Sequence, residues 1–277
     1  MHFTVAVLSK SIEGYCELLA PYQENNMGTC PMEYMEFEDV EEEYLEEYKN
    51  ESIKKVVMPD GRLLDRYDKE VRNIDDSKLN IKNIPASEIY PTFKEYMEKH
   101  VGFYEKDKRT GKYGYWYNPR AKWDWYLLGG RWRGMLLVRD DAPSLVGTPG
   151  VFGDNLETRE APKGYKWVDV AKIKDIEWKK MKGLSKENAI KDWEKVMNMD
   201  EKDKGIESFL YGIRGNDTKE SYVERLSNFG TFAVLTNNGE WYEQEYGFEE
   251  EWEKEFFDKF IKSANPELFL AIVDCHI

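Results

Sequence analysis

The chain has 277 residues, 41% hydrophobic and 14% aromatic, a composition that can bury a core and is not that of a disordered chain. Its 54 acids against 40 bases leave a formal net charge of −14, which argues against nucleic-acid binding, where a basic footprint is expected. Cys16, Cys30 and Cys275 show no CxxC spacing, no apolar run approaches the roughly 18 residues of a membrane span, and no signal-peptide core follows Met1, so a soluble protein of a reducing cytoplasm is expected, without zinc site, disulfide framework or cofactor.

His2 to Ser9 alternates Phe3, Val5 and Val7 with Thr4, Ala6 and Leu8. Both faces are largely apolar, which predicts a buried central strand. An extended connection is expected through Pro21 and Gly28 to Pro31, then a short strand at Tyr34 to Phe37. Asp39 to Asn50 reads as a helix with Val40, Tyr44, Leu45 and Tyr48 inward and acids crowding its first turns, where the helix dipole favours them. Lys55–Met58 and Leu63–Leu64 flank Asp60-Gly61, a tight hairpin signal. Asp68 to Asn83 reads as a charged loop, and Pro91 to His100 as a helix turning Phe93, Tyr96 and Met97 inward. Lys106 to Tyr113 is an exposed turn without the glycines of a phosphate loop.

Asn118 to Val138 concentrates three of the nine tryptophans, a glycine pair and three arginines. Lys122 to Leu128 suits a strand with Trp123 and Trp125 on one face and Asp124 and Tyr126 on the other. Gly129-Gly130 breaks it, Arg131-Trp132-Arg133 follows, and Met135 to Val138 returns as a buried strand, so a β-hairpin or bulged pair is expected. Two readings of Trp123, Asp124, Trp125, Tyr126, Arg131, Trp132 and Arg133 compete. In one they form a binding surface, since Trp and Arg dominate protein hot spots and stack on nucleobases. In the other the indoles are core, and Asp124 pairs with Arg131 or Arg133.

Asp140 to Asn155 is rich in Gly, Pro and Asp and reads as a loop or subdomain boundary. Tyr165 to Ile173 alternates as a strand, Ser185 starts a helix to about Asn198, Asp200 to Lys204 is a charged loop, and Asp217 or Thr218 starts a further helix. Thr231 to Thr236, the turn Asn237-Asn238-Gly239 and Trp241-Tyr242 form a hairpin. Phe248 to Ser263 is an amphipathic helix, and Leu268 to Val273 an apolar central strand.

The string K-W-D-W-Y…G-G-R-W-x-G at Lys122 to Gly134 resembles the signature of an uncharacterised family from bacteriophages and their bacterial hosts. MHFTVAVLS at the start, PDGRLLDRYD at Pro59 to Asp68, FAVLTNNGEW at Phe232 to Trp241 and IVDCHI at Ile272 to Ile277 extend the likeness in patches over most of the chain. The resemblance brings no catalytic residues. It implies a phage or mobile-element product, a setting in which small proteins often bind and disable host defence systems.

Two-sided apolar strands at both ends predict one α+β domain over residues 1–277, an antiparallel helix-backed sheet with a ferredoxin-like core and insertions. Residues 140–204 would be an inserted subdomain. The terminal strands would be antiparallel neighbours, which sets His2 beside Asp274 and His276, with Cys275 facing the other way. That cluster is either a hydrogen-bonded strand end or a metal site of carboxylate and imidazole. The functional expectation is a non-enzymatic binding protein that engages and inhibits a host defence protein. A small-ligand or nucleotide site in 122–134 and a metal-dependent hydrolase at the chain ends are the alternatives. Self-association is left open.

Overall fold

The two ends of the chain meet in one sheet. In the computed structural model, which describes residues 1–150 and 160–277, strand His2–Ser9 runs antiparallel to strand Phe269–His276 along its whole length, with His2 opposite His276 and Ser9 opposite Phe269. The fold is α+β. The chain divides into two compact units, Met1–Tyr34 with Arg120–Ile277, and Met35–Pro119.

In the larger unit the last strand is central. Its far side pairs with strand Trp125–Gly130 near its end and with Val170–Lys172 near its start. The first strand's other neighbour is Ala233–Leu235, which runs parallel to it and turns through a hairpin into Trp241–Glu243. The sheet is therefore mixed, where a ferredoxin-like order would keep every pairing antiparallel. Residues of both terminal strands are buried on both faces, as their two-sided apolar pattern requires. On one face Ala6, Leu8, Leu270 and Ile272 pack with Phe256, Phe260 and Met181 from the helices Glu249–Phe256 and Trp178–Met197 and the wider turn Phe257–Lys262. On the other, Val5, Val7, Ala271 and Val273 pack with Leu19, Tyr22 and Trp123. Each buried Val, Leu, Ile, Phe or Met among them contributes roughly 1.5–3 kcal/mol by leaving water, so the two-faced strands contribute to both cores of the unit.

Several elements differ from expectation. Residues 140–204 form no separate body. Ser144–Leu145 pairs with Val170–Lys172, and Thr148–Pro149 runs parallel to Trp125–Gly130, so the segment is stitched into the central sheet, while 151–155 lie outside the described residues. Tyr165 to Ile173 is two strands in different sheets, divided at Asp169. The expected Trp–Arg hairpin does not form either. Trp125–Gly130 pairs with the last strand, while Leu136–Arg139 pairs with Tyr165–Val168. Helix Trp178–Met197 begins about two turns before Ser185, and Asp200 precedes a helix, Glu201–Leu210, rather than lying in a loop. The connection through Pro21 contains the short helix Tyr15–Leu19.

The smaller unit holds a three-stranded sheet, Leu63–Leu64, Ser52–Val57 and Ile81–Pro85, the last of which begins within the end of the expected loop. Its hairpin turn forms at Asp60-Gly61, with Gly61 at φ +87°. Glu36–Asp39 pairs with Gly114–Tyr117. Helix Glu41–Asn50 and the turn Phe93–Tyr96, capped by Thr92, close an aromatic core around Tyr96, Met97 and Tyr113. Among the described residues, no helix is long and apolar enough to cross a membrane.

Candidate functional site

The register of the three strands sets the site. His2 is opposite His276, and His276 is opposite Trp125, so two imidazoles and an indole form one row across the sheet's end. The next row on the same face is Thr4, Asp274 and Leu127. The indole of Trp125 stacks on His276 at 5.1 Å between centroids and 15° between planes, and His2 meets both rings edge-on, at 5.1 and 5.0 Å.

Each histidine is tied to a carboxylate. His2 Nδ1 lies 2.8 Å from Oδ1 of Asp274, which is fully buried, and His276 Nδ1 lies 2.9 Å from Oδ1 of Asp124. Burial works against ionisation of Asp124, but hydrogen bonds from His276, Asn26 and the Trp125 amide outweigh it and hold the carboxyl below the usual aspartate range. An ionised Asp124 only accepts, so the His276 proton sits on Nδ1. The partners of Asp124 are thus His276 and Asn26, at 3.2 Å, and neither Arg131 nor Arg133. His2, Asp274 and His276 meet as the adjacency of the terminal strands predicts, whereas Asp124 and Asn26 join them from segments whose spacing along the chain gives no sign of it.

The glycine pair connects this cluster to the arginines. Gly129, Gly130 and Gly134 have φ of +74°, +52° and +76°, and they turn the chain across the face of the sheet. The amide of Arg131 thereby donates to Oδ2 of Asp274 at 2.9 Å. An added Cβ on Gly130 would fall 2.3 Å from Asp274 Cβ, and one on Gly129 would fall 2.7 Å from Oδ2 of Asp169. Two buried carboxylates therefore dictate two adjacent glycines. Asp169 accepts from the amides of Gly134 at 2.5 Å and Gly147 at 2.7 Å. Burial pushes its carboxyl up, with the two amide bonds and Arg133 pulling the other way. Asp169 was legible only as an acid interrupting the apolar run Val168 to Val170.

The seven residues singled out from sequence separate. Trp123 and Trp125 do not share a face: Trp123 precedes the strand, is 5% exposed and donates its Nε1 to the Leu19 carbonyl, while Trp125 is 38% exposed. Tyr126 packs edge-to-face on Trp123 within the opposite core, where burial pushes its phenol up. Trp132 is half-buried against the helix-side core. Asp124, Trp125 and the backbone of Arg131 gather round His2, Asp274 and His276. The Arg131 guanidinium makes no hydrogen bond or ion pair among the described residues, whereas Arg133 lies close enough to act on Asp169. Cys275 faces away, fully buried beside Phe3 and Tyr126, and burial pushes its thiol up.

Chemically, the cluster offers a rigid aromatic surface, one imidazole whose Nδ1 is anchored to a buried acid, and on the adjoining turn a guanidinium without an ion-pair partner among the described residues. Among the described residues, no group of three or more His, Cys, Asp or Glu is placed to hold a metal ion, so the carboxylate–imidazole metal site has no ligand set here. Three clefts among the described residues have linings that include none of Trp125, Arg131 and Trp132. No family model, no curated protein and no solved structure matches the chain.

Proposed function

We propose that the chain is a binding protein whose recognition surface is the histidine–tryptophan end of the central sheet, with Trp125 as its anchor and Arg131 as its charged contact. The observation that carries the reading is the bracing of Trp125. A large indole with over a third of its surface open is stacked on His276, and that ring is held by Asp124, beside a second histidine held by a buried acid. A side chain whose rotamer is fixed before contact loses little entropy on binding, which is what an interface hot spot requires. The partner is a protein. The resemblance to phage-associated chains makes it a host protein, with a defence complex as the class to try first. The test is co-elution of the purified protein with candidate host complexes, repeated with Trp125→Ala and Arg131→Ala. Binding that is lost with either variant while the fold is retained supports the proposal, and a partner held equally well by both variants removes it.

The guanidinium of Arg131, which makes no hydrogen bond or ion pair among the described residues, and the open indole of Trp125 favour a second reading, a nucleotide with its base on Trp125 and its phosphate on Arg131. Saturable quenching of tryptophan fluorescence by nucleotides, lost in Arg131→Ala, would select it over the first.

A further inference from the structure

The hairpin Ala233–Leu235/Trp241–Glu243 and the helix Glu249–Phe256, with its continuation Phe257–Lys262, line a cleft of about 510 Å³, none of whose lining residues belongs to the site above. Its walls are aromatic: Trp241, Tyr242, Phe248 and Trp252, over Phe256 and Phe260. The rings brace one another, with Tyr242 and Trp252 meeting Phe260 at 5.3 and 5.4 Å between centroids. Both indole N–H groups are already used. Trp241 Nε1 donates to Glu243 and Trp252 Nε1 to the Thr231 carbonyl, each at 2.8 Å. What the indoles offer the cleft is therefore ring face and apolar edge.

Glu245, Glu251 and Glu255 also line the cleft, and the side chain of none of them makes a hydrogen bond or ion pair among the described residues. Aromatic faces carry a negative quadrupole, and uncompensated carboxylates add full charge, so both attract a cation with an apolar body and repel an anion. The chain itself illustrates the preference. Lys259 Nζ rests 5.2 Å from the Phe260 ring centroid and 5.9 Å from that of Tyr242. The other lysine at the cleft, Lys122, is already paired with Glu243 at 2.9 Å.

We infer that this cleft binds an organic cation, an alkylammonium or guanidinium group carried either by a free amine or by a lysine or arginine side chain of a peptide. The cationic head displaces Lys259 from the ring faces. Glu251 and Glu255, one helical turn apart and so on the same side of the helix, meet it from the rim. The alkyl stem lies along Trp252 and Tyr242.

The test titrates the full-length protein with agmatine, spermidine, a capped Gly-Arg-Gly peptide and neutral N-butylurea, by calorimetry and tryptophan fluorescence. Saturable binding is expected for at least one cationic probe and not for N-butylurea. Glu251→Gln combined with Glu255→Gln should weaken it about tenfold, as two exposed charge contacts are lost. Lys259→Gln, which removes the internal competitor, should strengthen it by roughly threefold. All three positions are exposed on the helix, and an unchanged circular dichroism spectrum verifies the fold of each variant. Binding of the peptide alone assigns the source to a protein partner, and binding of the free amines alone to a small molecule. No saturable binding of any cationic probe, or full binding by the double glutamine variant, overturns the inference.

Discussion

Replacing Gly130 with alanine tests how the glycine turn and the buried acid depend on each other. The backbone there has φ +52°, a left-handed conformation that costs a residue with a Cβ roughly 1–2 kcal/mol. The new Cβ would sit 2.3 Å from Asp274 Cβ and 2.4 Å from its Oδ2, both closer than real contacts allow. Asp274 must then move, which breaks its bonds with the Arg131 amide at 2.9 Å and with His2 at 2.8 Å. Leaving those buried groups without partners costs roughly 1–3 kcal/mol more. The expected total is about 2–5 kcal/mol, a large share of the ordinary 5–15 kcal/mol margin of a folded protein. Gly164→Ala is the matched control. Its φ is +83°, but nothing lies within 4 Å of the added atom, so only the backbone strain applies. Urea unfolding followed by tryptophan fluorescence gives both values, read from the midpoint at constant slope. If the two variants lose the same stability to within about 0.5 kcal/mol, the carboxylate does not constrain Gly130 and the argument fails.

The two tryptophans flanking Asp124 should respond unequally: Trp123→Ala removes a core side chain and should cost about 3–5 kcal/mol, whereas Trp125→Ala should cost about 1 kcal/mol or less in the same assay. Equal losses would contradict their placement on opposite faces. Asp124 and Asp169 should titrate on either side of the ordinary aspartate value in a carboxyl-carbon NMR titration, Asp124 below it and Asp169 above. The stability contributions have opposite signs. That of Asp124 is present above the unfolded aspartate value and lost as pH falls through its depressed one. That of Asp169 is full below the unfolded value and lost as pH rises through its raised one. Asp124→Asn should therefore differ from wild type at neutral pH and converge with it in acid, and a constant difference would show that His276 does not hold Asp124 ionised. With a thiol reagent, Cys16 should react at once and Cys275 only on unfolding, since the one is exposed and the other buried with a raised thiol. Prompt modification of Cys275 in folded protein would show that the sheet's end opens.

What was readable from residues alone depended on how local the cause was. The terminal strands announced themselves because Phe3 to Leu8 and Leu268 to Val273 are apolar on both faces, and only a central strand buries both. Their adjacency by itself places His2 against Asp274. Gly61 and Gly239 marked their turns because an Asp-Gly or Asn-Gly pair supplies positive φ without outside help. Gly129 and Gly130 also have positive φ, but there the requirement comes from Asp169 and Asp274, both far along the chain, so the pair reads as a hairpin turn. The same holds for Asp124. An acid between two tryptophans suggests an arginine partner from the nearest basic residues, and the histidine that claims it enters from the last strand. Glu201–Leu210 was obscured by its charged start, and it carries Ile206, Phe209 and Leu210 on the solvent side, the reverse of the pattern that marks a helix packed on a core.

The middle position of Phe269–His276 has a consequence for synthesis. A ribosome makes this strand after both of its neighbours, His2–Ser9 and Trp125–Gly130, which wait for it to zip between them. Until it emerges, both carry open hydrogen-bonding edges and uncovered apolar faces, the condition under which nascent chains bind chaperones or aggregate. Removing residues 269–277 should accordingly give insoluble product rather than a shortened but folded protein.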